Sequence, residues 1–438
     1  MFPATLWTLL SLVPLLTHSS ASSAPPLACD SRSHPDDCFA LSHVYNALYF
    51  AENNASLPWT NNSHVCDRKY VTCDEQHYVI ILDLHNLGLA GIIPSQISSL
   101  HALKSLFLYA NEISGIIPTE ICEMQTLNDL IISENLLNGP VPVNLGNLTN
   151  LTYLGFSYNK LTGTLPESLG NLQQLRTLKG DYNQLQGTIP SAIGTMKSLV
   201  YLVLSYNQLV GPIPAEIGEL SNLFDVELHN NYLTSIPAEI SKLQHLSSLS
   251  LGFNALSGII PTSMGKMSSL VGLFLENNQF SGSIPESLYQ LKALKQLELD
   301  HNMLSGVLPE MLSWMNLETL HVNNNRLEGV VPNGFGKNMT TSMVSLFLNN
   351  NNFVGPIPLS FEKYACQLEN QSQSIQCFMG MNNFTMNDCV ENPCAAQRCG
   401  MKCGSTLWRT SYIHVFIQQL YFKEKVQKVY FIFRFLDF

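Results

Sequence analysis

The chain has 438 residues, of which 45% are hydrophobic, so it can bury a large core and is not a disordered polymer. Charged residues make up only 13%, about half the usual share, and the formal net charge is -11 from 33 acidic and 22 basic side chains. This balance argues against a nucleic acid as a partner, because nucleic-acid-binding proteins carry a basic surface. Eleven cysteines would be unusual in a reducing cytosol, so they favour an oxidising compartment.

Residues 1–21 are typical of a secretory signal peptide. An apolar run over residues 6–16 precedes a stretch of small residues, and we predict cleavage after Ala21. The alternative is a retained membrane anchor, which is disfavoured because the run is shorter than the ~20 apolar residues that a bilayer requires. Secretion, or a place at the cell surface, also agrees with seven predicted glycosylation sites at Asn54, Asn61, Asn147, Asn150, Asn338, Asn370 and Asn383.

An internal repeat organises residues 79–361. Asparagines recur at intervals of 23, 24 or 26 residues, at Asn111, Asn135, Asn159, Asn183, Asn207, Asn231, Asn254, Asn278, Asn302, Asn325 and Asn351. Prolines keep the same spacing from Pro94 to Pro358. The first unit, residues 79–100, carries Leu87 at the asparagine position, so the sequence contains about twelve repeats of 24 residues. A period of this regularity predicts a solenoid.

One unit illustrates how the repeat folds. Leu202 and Leu204 alternate with Val203, which predicts a short strand with both leucines inward and Val203 outward. Asn207 follows, and we expect its amide to bond the turn backbone of its own and the adjacent unit, since an unpaired buried amide costs about 1–3 kcal/mol. Pro214 bars a regular helix from starting before it, so the back of each unit is predicted to be a short helical or 3₁₀ turn.

A single unit cannot bury its leucines, so the units must stack and the two ends of the stack need caps. The predicted fold is therefore an α/β solenoid. Two local irregularities in the repeat lead to further predictions. Residues 231–237 are one residue short and lack the repeat's glycine, which predicts a tighter turn. Gly180 occupies an inward position that is apolar in other units, which predicts a small void or a closer strand contact.

With the unit written as Leu-x-x-Leu-x-Leu-x-x-Asn-x-Leu-x-Gly-x-Ile-Pro, the chain resembles plant-type leucine-rich repeat proteins. The resemblance covers residues 79–361 and extends into an N-terminal cap at residues 22–78, where Trp59 and the pair Cys66 and Cys73 match the family's cap. Arg68 and Tyr70 stand where the family usually has a tryptophan and a glycine. The cysteines Cys29 and Cys38 are additional, which leaves the bridging pattern of this cap open.

The resemblance implies a right-handed superhelix whose strands form one long parallel sheet on the concave side, with cysteine-rich caps at both ends. It also implies a secreted or cell-surface recognition module, like the ectodomains of receptor-like kinases or the polygalacturonase-inhibiting proteins. Docking of a ligand on the concave sheet would then be followed by pairing with a co-receptor. The kinase motifs are absent from this sequence, and no run of ~20 apolar residues follows the repeats.

Outward side chains of the strands line the concave face and are the candidate ligand-binding residues. They divide into an aromatic part near the N-terminus and an acidic part further along. We expect the acidic part to attract a basic peptide or protein, and the aromatic part to anchor apolar groups or stack on a glycan. The alternative is a solvated face whose acids serve solubility. The candidates are Phe107, Tyr109, Tyr153, Lys179, Asp181, Tyr201, Asp225, Glu227, His229, Phe274, Glu276, Glu298, Asp300 and His321.

The sequence is also compatible with two other functions. The chain could inhibit a secreted cell-wall hydrolase directly. It could also cleave glycosides, since Glu276, Glu298 and Asp300 are expected to be near neighbours. Carboxylates exposed on a sheet are not a tuned acid/base pair, however, so no enzyme activity is expected. The sequence contains no HExxH motif and no GxSxG motif, and neither a cofactor nor a metal ion is predicted.

Residues 362–403 are predicted to form a C-terminal cap. Six cysteines fall within it, at Cys366, Cys377, Cys389, Cys394, Cys399 and Cys403, and a secretory leader favours disulfides over zinc for them. Cys122 lies alone and is predicted to be a buried free thiol rather than an intermolecular bridge. The basic, aromatic tail at residues 404–438 matches no repeat. The sequence leaves three interpretations of this tail: an interfacial membrane segment, a disordered tail, or an artefact of the gene model.

Overall fold

The computed structural model describes residues 28–310, 316–332 and 345–356, together with the backbone of residues 376–378 and 383–384. The predicted signal peptide, the tail and most of the predicted C-terminal cap therefore lie outside the described residues. The acceptors Asn338 and Asn370, the side chain of the acceptor Asn383 and all six C-terminal cysteine side chains also lie outside them.

One long sheet runs through the described part of the chain. Its first two strands pair antiparallel and every later pair is parallel. Successive strands are adjacent in the sheet, as expected for stacked repeats. The fourteen strands are β2 (Val71–Cys73), β3 (Val79–Asp83), β5 (Ser105–Phe107), β7 (Asp129–Ile131), β9 (Tyr153–Gly155), β11 (Thr177–Lys179), β13 (Tyr201–Val203), β15 (Asp225–Glu227), β17 (Ser248–Ser250), β19 (Gly272–Phe274), β21 (Gln296–Glu298), β23 (Thr319–His321), β25 (Ser345–Phe347) and β27 (Gln376–Phe378). The last strand carries the sheet into residues predicted to form the C-terminal cap.

The asparagine ladder forms as predicted. The Oδ1 atom of Asn207 accepts a hydrogen bond from the Leu185 amide at 3.0 Å. Its Nδ2 atom donates to the Gly180 carbonyl of the preceding unit at 3.0 Å and to the Leu204 carbonyl of its own unit at 3.1 Å. The same pattern recurs from Asn111 to Asn351. Each buried amide is therefore satisfied, and each one joins two neighbouring units.

The opposite side of the stack consists of short 3₁₀ helices, most of them preceded by the repeat's proline. Within the described residues this confirms the prediction for the back of the units, and the leucines between the helices and the long sheet form one continuous buried core. The 3₁₀ helices are Ser95–Ser99, Thr119–Glu123, Leu145–Asn147, Glu167–Asn171, Ser191–Thr195, Ala215–Glu219, Ala238–Lys242, Thr262–Lys266 and Glu286–Gln290, with one more at Val65–Asp67 in the cap.

Short lateral strands follow the ladder residues. They are β4 (Leu89–Ile92), β6 (Glu112–Ile116), β8 (Leu136–Pro140), β10 (Lys160–Thr162), β12 (Gln186–Gly187), β14 (Gln208–Gly211), β16 (Tyr232–Leu233), β18 (Ser257–Gly258), β20 (Gln279–Gly282), β22 (Met303–Val307), β24 (Arg326–Val330), β26 (Asn352–Gly355) and β28 (Asn383–Phe384). These strands form three separate sheets, and one break falls between β16 and β18. That break lies at the unit that lacks the glycine, but the Ser257 amide still donates to the Thr234 carbonyl at 3.1 Å, and the long sheet continues through this unit.

The N-terminal cap is built on the helix α1 (Pro35–Ala47) and the strand β1 (Leu48–Phe50), which pairs antiparallel with β4. Two disulfides, Cys29–Cys38 and Cys66–Cys73, close it and resolve the bridging pattern. Buried Asp37 accepts a hydrogen bond from the Val79 amide at 2.8 Å, which ties α1 to the first strand of the repeats.

The two unusual cap residues each have a structural role. Arg68 is buried with its guanidinium over the ring of Trp59, 5.6 Å from the centroid, and burial lowers its pKa to about 10. Tyr70 has a φ of 73°, so it adopts the left-handed conformation that the family's usual glycine would take without strain.

Two predictions about single buried residues can be compared with the structure. Cys122 is a buried free thiol, as predicted, and burial raises its pKa to about 11. Gly180 leaves neither a void nor a closer strand contact. The ring of Phe156 from the preceding unit fills the space, and a Cβ atom built on Gly180 would lie 2.2 Å from Phe156 Cε2.

Candidate functional site

The candidate site is the concave face, which consists of the outward side chains of the long sheet. Each repeat places three such side chains along one strand, and parallel pairing aligns them in rows across the sheet. One row contains Lys179, Val203 and Glu227, which lie on three successive strands. Because the leucines point into the core, these outward positions are free to vary between repeats.

The predicted binding residues all lie on this face, but their exposure differs from the expectation. Eleven of them are half-buried, whereas Asp225, Glu276 and Asp300 are buried, with 6%, 9% and 7% of their surface exposed. The expectation of exposed carboxylates is therefore wrong for these three. Strands about 4.8 Å apart allow neighbouring side chains to cover one another. Glu276, for example, lies over Gly252, where an added Cβ atom would be 2.2 Å from its Oε1 atom.

We call Lys179, Asp181, Asp225, Glu227 and His229 the central patch. Ser157 donates a short hydrogen bond to Asp181. Burial raises the pKa of Asp181 to about 6, and the negative charge of Glu227 adds to the rise, while Ser157 and Lys179 act in the opposite direction. The patch therefore concentrates acids around one lysine at the middle of the sheet.

Replacing Asp181 with asparagine should stabilise the protein at neutral pH. An acid whose pKa is higher in the folded state loses its favourable contribution as the pH rises from about 4 to about 6. Taken in full, the raised pKa of Asp181 would destabilise the folded state at neutral pH by about 3 kcal/mol. Because Asp181 is half-buried, we expect solvent screening to leave about 1–2 kcal/mol of this destabilisation. Urea denaturation at pH 7.5 should show this gain for Asp181→Asn, and denaturation at pH 3.5 should show none.

Asp129→Asn is the matched control for Asp181→Asn. Asp129 is another half-buried aspartate on the same face, and its Oδ2 atom accepts a hydrogen bond from Ser105 at 2.9 Å. If both variants raised the free energy of unfolding equally at pH 7.5, the cause would be the net charge of the face and not the environment of Asp181.

A column of three tyrosines borders the central patch and was missed by the sequence analysis. The rings of Tyr158 and Tyr182 stack with centroids 4.2 Å apart, and those of Tyr182 and Tyr206 stack at 4.1 Å. Tyr206 also meets His229 edge-on at 5.2 Å. Burial raises the pKa of Tyr158 to about 12, so the hydroxyl is neutral at physiological pH. We call Tyr158, Tyr182 and Tyr206 the tyrosine column.

The tyrosine column occupies strained backbone. All three residues have φ values of 52–53°, a region that is unfavourable for bulky side chains. A sequence signal for the column exists, because a tyrosine directly precedes the ladder asparagine in three successive units. Alternation within a strand does not identify this signal, since the residue lies in the turn beyond the strand.

The side chains of the predicted aromatic part lie on the concave face beside charged groups. Tyr109 stacks on His85 at 4.6 Å, and His85 Nδ1 lies 2.5 Å from Asp83 Oδ1. Lys179 Nζ lies over the ring of Tyr153, 5.8 Å from the centroid. The face therefore presents aromatic rings beside charged groups, which suits a ligand that carries both.

A second group of side chains lies further along the face, and we call Glu298, Asp300 and His321 the distal cluster. Their ligand atoms all lie within 4.8 Å of one another. Phe274 lies beside Glu298 on one neighbouring strand, and Phe347 stacks on His321 at 4.3 Å on the other side. A second group of metal-ligating residues, His64, Cys66 and His77, is unsuitable because Cys66 is in a disulfide.

Four predicted glycosylation sites fall within the described residues. Asn54, Asn61, Asn147 and Asn150 are all exposed, so glycosylation at these positions stays a prediction. The Nδ2 atom of Asn150 donates a hydrogen bond to the Gln125 carbonyl at 2.8 Å. A glycan attached to that nitrogen would replace one of its two hydrogens.

Comparison with known proteins identifies the family. Models of the leucine-rich repeat match residues 150–172, 198–220, 221–280, 244–304 and 316–338. No curated protein matches the chain. Among solved structures, the Arabidopsis receptor kinase HAESA in complex with the peptide hormone IDA and the co-receptor SERK1 is 32% identical, with a TM-score of 0.67. The match covers 82% of this chain and 60% of that one.

Two further receptor structures are similar. The TDR receptor is 34% identical with a TM-score of 0.65, over 70% of this chain and 52% of that one. The PEPR1–AtPEP1 complex is 32% identical with a TM-score of 0.66, over 78% and 50% of the two chains. The chain thus spans 50–60% of the length of these receptor chains.

The chain is therefore a plant-type leucine-rich repeat protein. More particularly, its repeats have the architecture of plant receptor ectodomains. Within the described part of the chain, no helix is long and apolar enough to cross a membrane.

Proposed function

We propose that the chain is an extracellular, non-catalytic recognition module that binds a peptide or protein segment with basic side chains on its concave face. Receptor-like signalling, with a co-receptor joining the bound complex, is the context that this role implies. The neighbouring receptor structures support it, since HAESA is in complex with a peptide hormone and a co-receptor. The long sheet offers a rigid surface on which such a segment could lie.

The observation that carries this proposal is the burial of carboxylates on the concave face. Asp225, Glu276 and Asp300 are buried on this face, and the repeat does not require acids at these positions. The same outward positions hold Ser248 beside Asp225 and Gly252 beside Glu276. Acids that the fold does not need, held on rigid strands, are suited to binding a complementary cation.

The proposal is tested by selecting binders from a random peptide display library with the purified chain. We expect the enriched peptides to contain lysine or arginine and to bind less tightly as salt rises. The triple variant Asp181→Asn, Asp225→Asn and Glu227→Gln should bind them at least about 10-fold more weakly, because it removes three charges beside the ligand.

A control of equal charge change is available on the opposite side of the stack. Glu167, Glu216 and Glu286 are exposed acids in the first turns of separate 3₁₀ helices. Neutralising these three with glutamine should leave the affinity within about twofold of the parent, since exposed charges more than a Debye length away are largely screened. Equal losses in both triple variants, or peptides without basic residues, would contradict the proposal.

A further inference from the structure

The distal cluster combines side chains that the binding of a cation would use. Glu298 lies on β21 and His321 directly beside it on β23, while Asp300 follows Glu298 by two residues on the same face. The Nδ1 atom of His321 is 3.8 Å from Glu298 Oε2. Two ligands at about 2.1 Å from a tetrahedral ion lie about 3.4 Å apart, so a small side-chain movement suffices.

Hydrogen bonds outside the cluster hold its members in orientations that suit metal ligands. His321 Nε2 is 2.7 Å from the Ser345 hydroxyl oxygen. When Nε2 carries the proton and donates to Ser345, the lone pair of Nδ1 faces Glu298. His301 lies in the same way beside Asp300, with its Nδ1 2.7 Å from Asp300 Oδ2, which leaves the other carboxylate oxygen for an ion.

An independent observation favours a cation at this arrangement. Asn323 lies two residues after His321, on the strand beside Asp300, and His301 donates its backbone amide to the Asn323 carbonyl at 3.0 Å. Its side chain is buried, with only 2% of the residue exposed, and its Oδ1 atom has no hydrogen-bond partner among the described residues. An unsatisfied carbonyl oxygen beside a carboxylate is unfavourable unless a positive charge lies near both.

The type of ligand narrows the choice of ion. An imidazole among the ligands favours zinc and related transition metals, whereas calcium and magnesium prefer oxygen ligands alone. The side chains of Glu298 and His321 are 25% and 17% exposed, so the cluster can be reached from the concave face. Phe274 and Phe347 border it on both sides and reduce the access of water.

We propose that Glu298, Asp300 and His321 form a binding site for a divalent transition metal ion of the zinc type, with Asn323 supplying a further oxygen. The four side chains would complete a tetrahedral coordination and place a positive charge within the acidic part of the face. Metal binding itself does not depend on the proposed recognition function, so the two proposals can fail separately.

Titration calorimetry with Zn²⁺ on the chelator-treated full chain, purified without a histidine tag, tests the site. We expect one high-affinity site. The variants Glu298→Gln and His321→Gln should each weaken it by at least about 10-fold, since each removes a ligand. Replacing Zn²⁺ with Co²⁺ should give a visible absorption band that the same variants abolish. The control Glu239→Gln with His245→Gln changes the same residue types in and shortly after the 3₁₀ helix Ala238–Lys242, on the opposite side of the stack, and should retain the site.

The outcomes divide clearly. The proposal is overturned if Zn²⁺ does not bind stoichiometrically, if the cluster variants keep the parent affinity, or if the control pair loses as much. It is also overturned if Ca²⁺ binds to the cluster in preference to Zn²⁺. Should His321→Gln fail to fold, Ser345→Ala decides, because it leaves the ligands in place and removes only the group that orients the imidazole. That variant should bind Zn²⁺ several-fold more weakly.

Discussion

Replacing Gly180 with leucine, the residue found at the equivalent position Leu204, should destabilise the protein by about 3 kcal/mol or more. A Cβ atom at Gly180 would lie 2.2 Å from one ring carbon of Phe156 and 2.7 Å from another. Both residues are buried in a close-packed core, so the ring cannot move aside without displacing its neighbours. Urea denaturation followed by circular dichroism measures the loss.

A double-mutant cycle separates this contact from general damage. Phe156→Leu alone removes ring volume and should cost about 1–2 kcal/mol through the cavity that it leaves. Combined with Gly180→Leu, it makes both units resemble their neighbours, and stability should return to within about 1 kcal/mol of the parent. Strictly additive losses would show that Phe156 does not occupy the space above Gly180.

Gly91→Ala should detach the N-terminal cap from the repeats at a cost of about 3 kcal/mol or more. Gly91 has a φ of 115°, and an added Cβ atom would lie 1.9 Å from the backbone oxygen of Ala47. That oxygen belongs to the end of α1, directly before β1, which pairs with β4 through Leu48 and Gly91. Backbone atoms cannot rotate away as a side chain can, so the strand pairing must open. Hydrogen exchange in residues 48–50 should rise.

Gly88 supplies the matched control for Gly91. It also has a positive φ, of 65°, but a Cβ atom there would meet nothing within 4 Å. Gly88→Ala should therefore cost only the backbone strain of about 1–2 kcal/mol. Similar losses at both glycines would mean that conformational strain, and not the contact with Ala47, makes Gly91 necessary.

Much of the fold could be predicted from the sequence because the same hydrogen bonds recur in every unit. The period of Asn207 and its counterparts fixed the stack, and their buried amides confirm the ladder. The outcome at Gly180 could not be predicted. Its space is filled by Phe156 from the preceding unit, and a period describes positions within a unit rather than size matching between two units.

The positions of the candidate site followed from the alternation of each strand, but its electrostatics did not. Whether Asp225 is buried depends on the side chains of the two neighbouring strands, which lie 24 and 23 residues away along the chain. The distal cluster could not be predicted for the same reason. Glu298 and His321 are 23 residues apart and form no local motif, so only the register of two strands brings them together.

The ladder also determines how repeats of unequal length can coexist. The amide that bonds each asparagine oxygen lies 22 residues earlier in a regular unit, but 21 residues before Asn254 and Asn325 and 24 before Asn351. Pairing in the long sheet continues through all of these units. The differences in repeat length thus leave the pairing of the long sheet unchanged. As such sequences diverge, loop lengths can therefore change without moving the outward positions of the long sheet that a partner would contact.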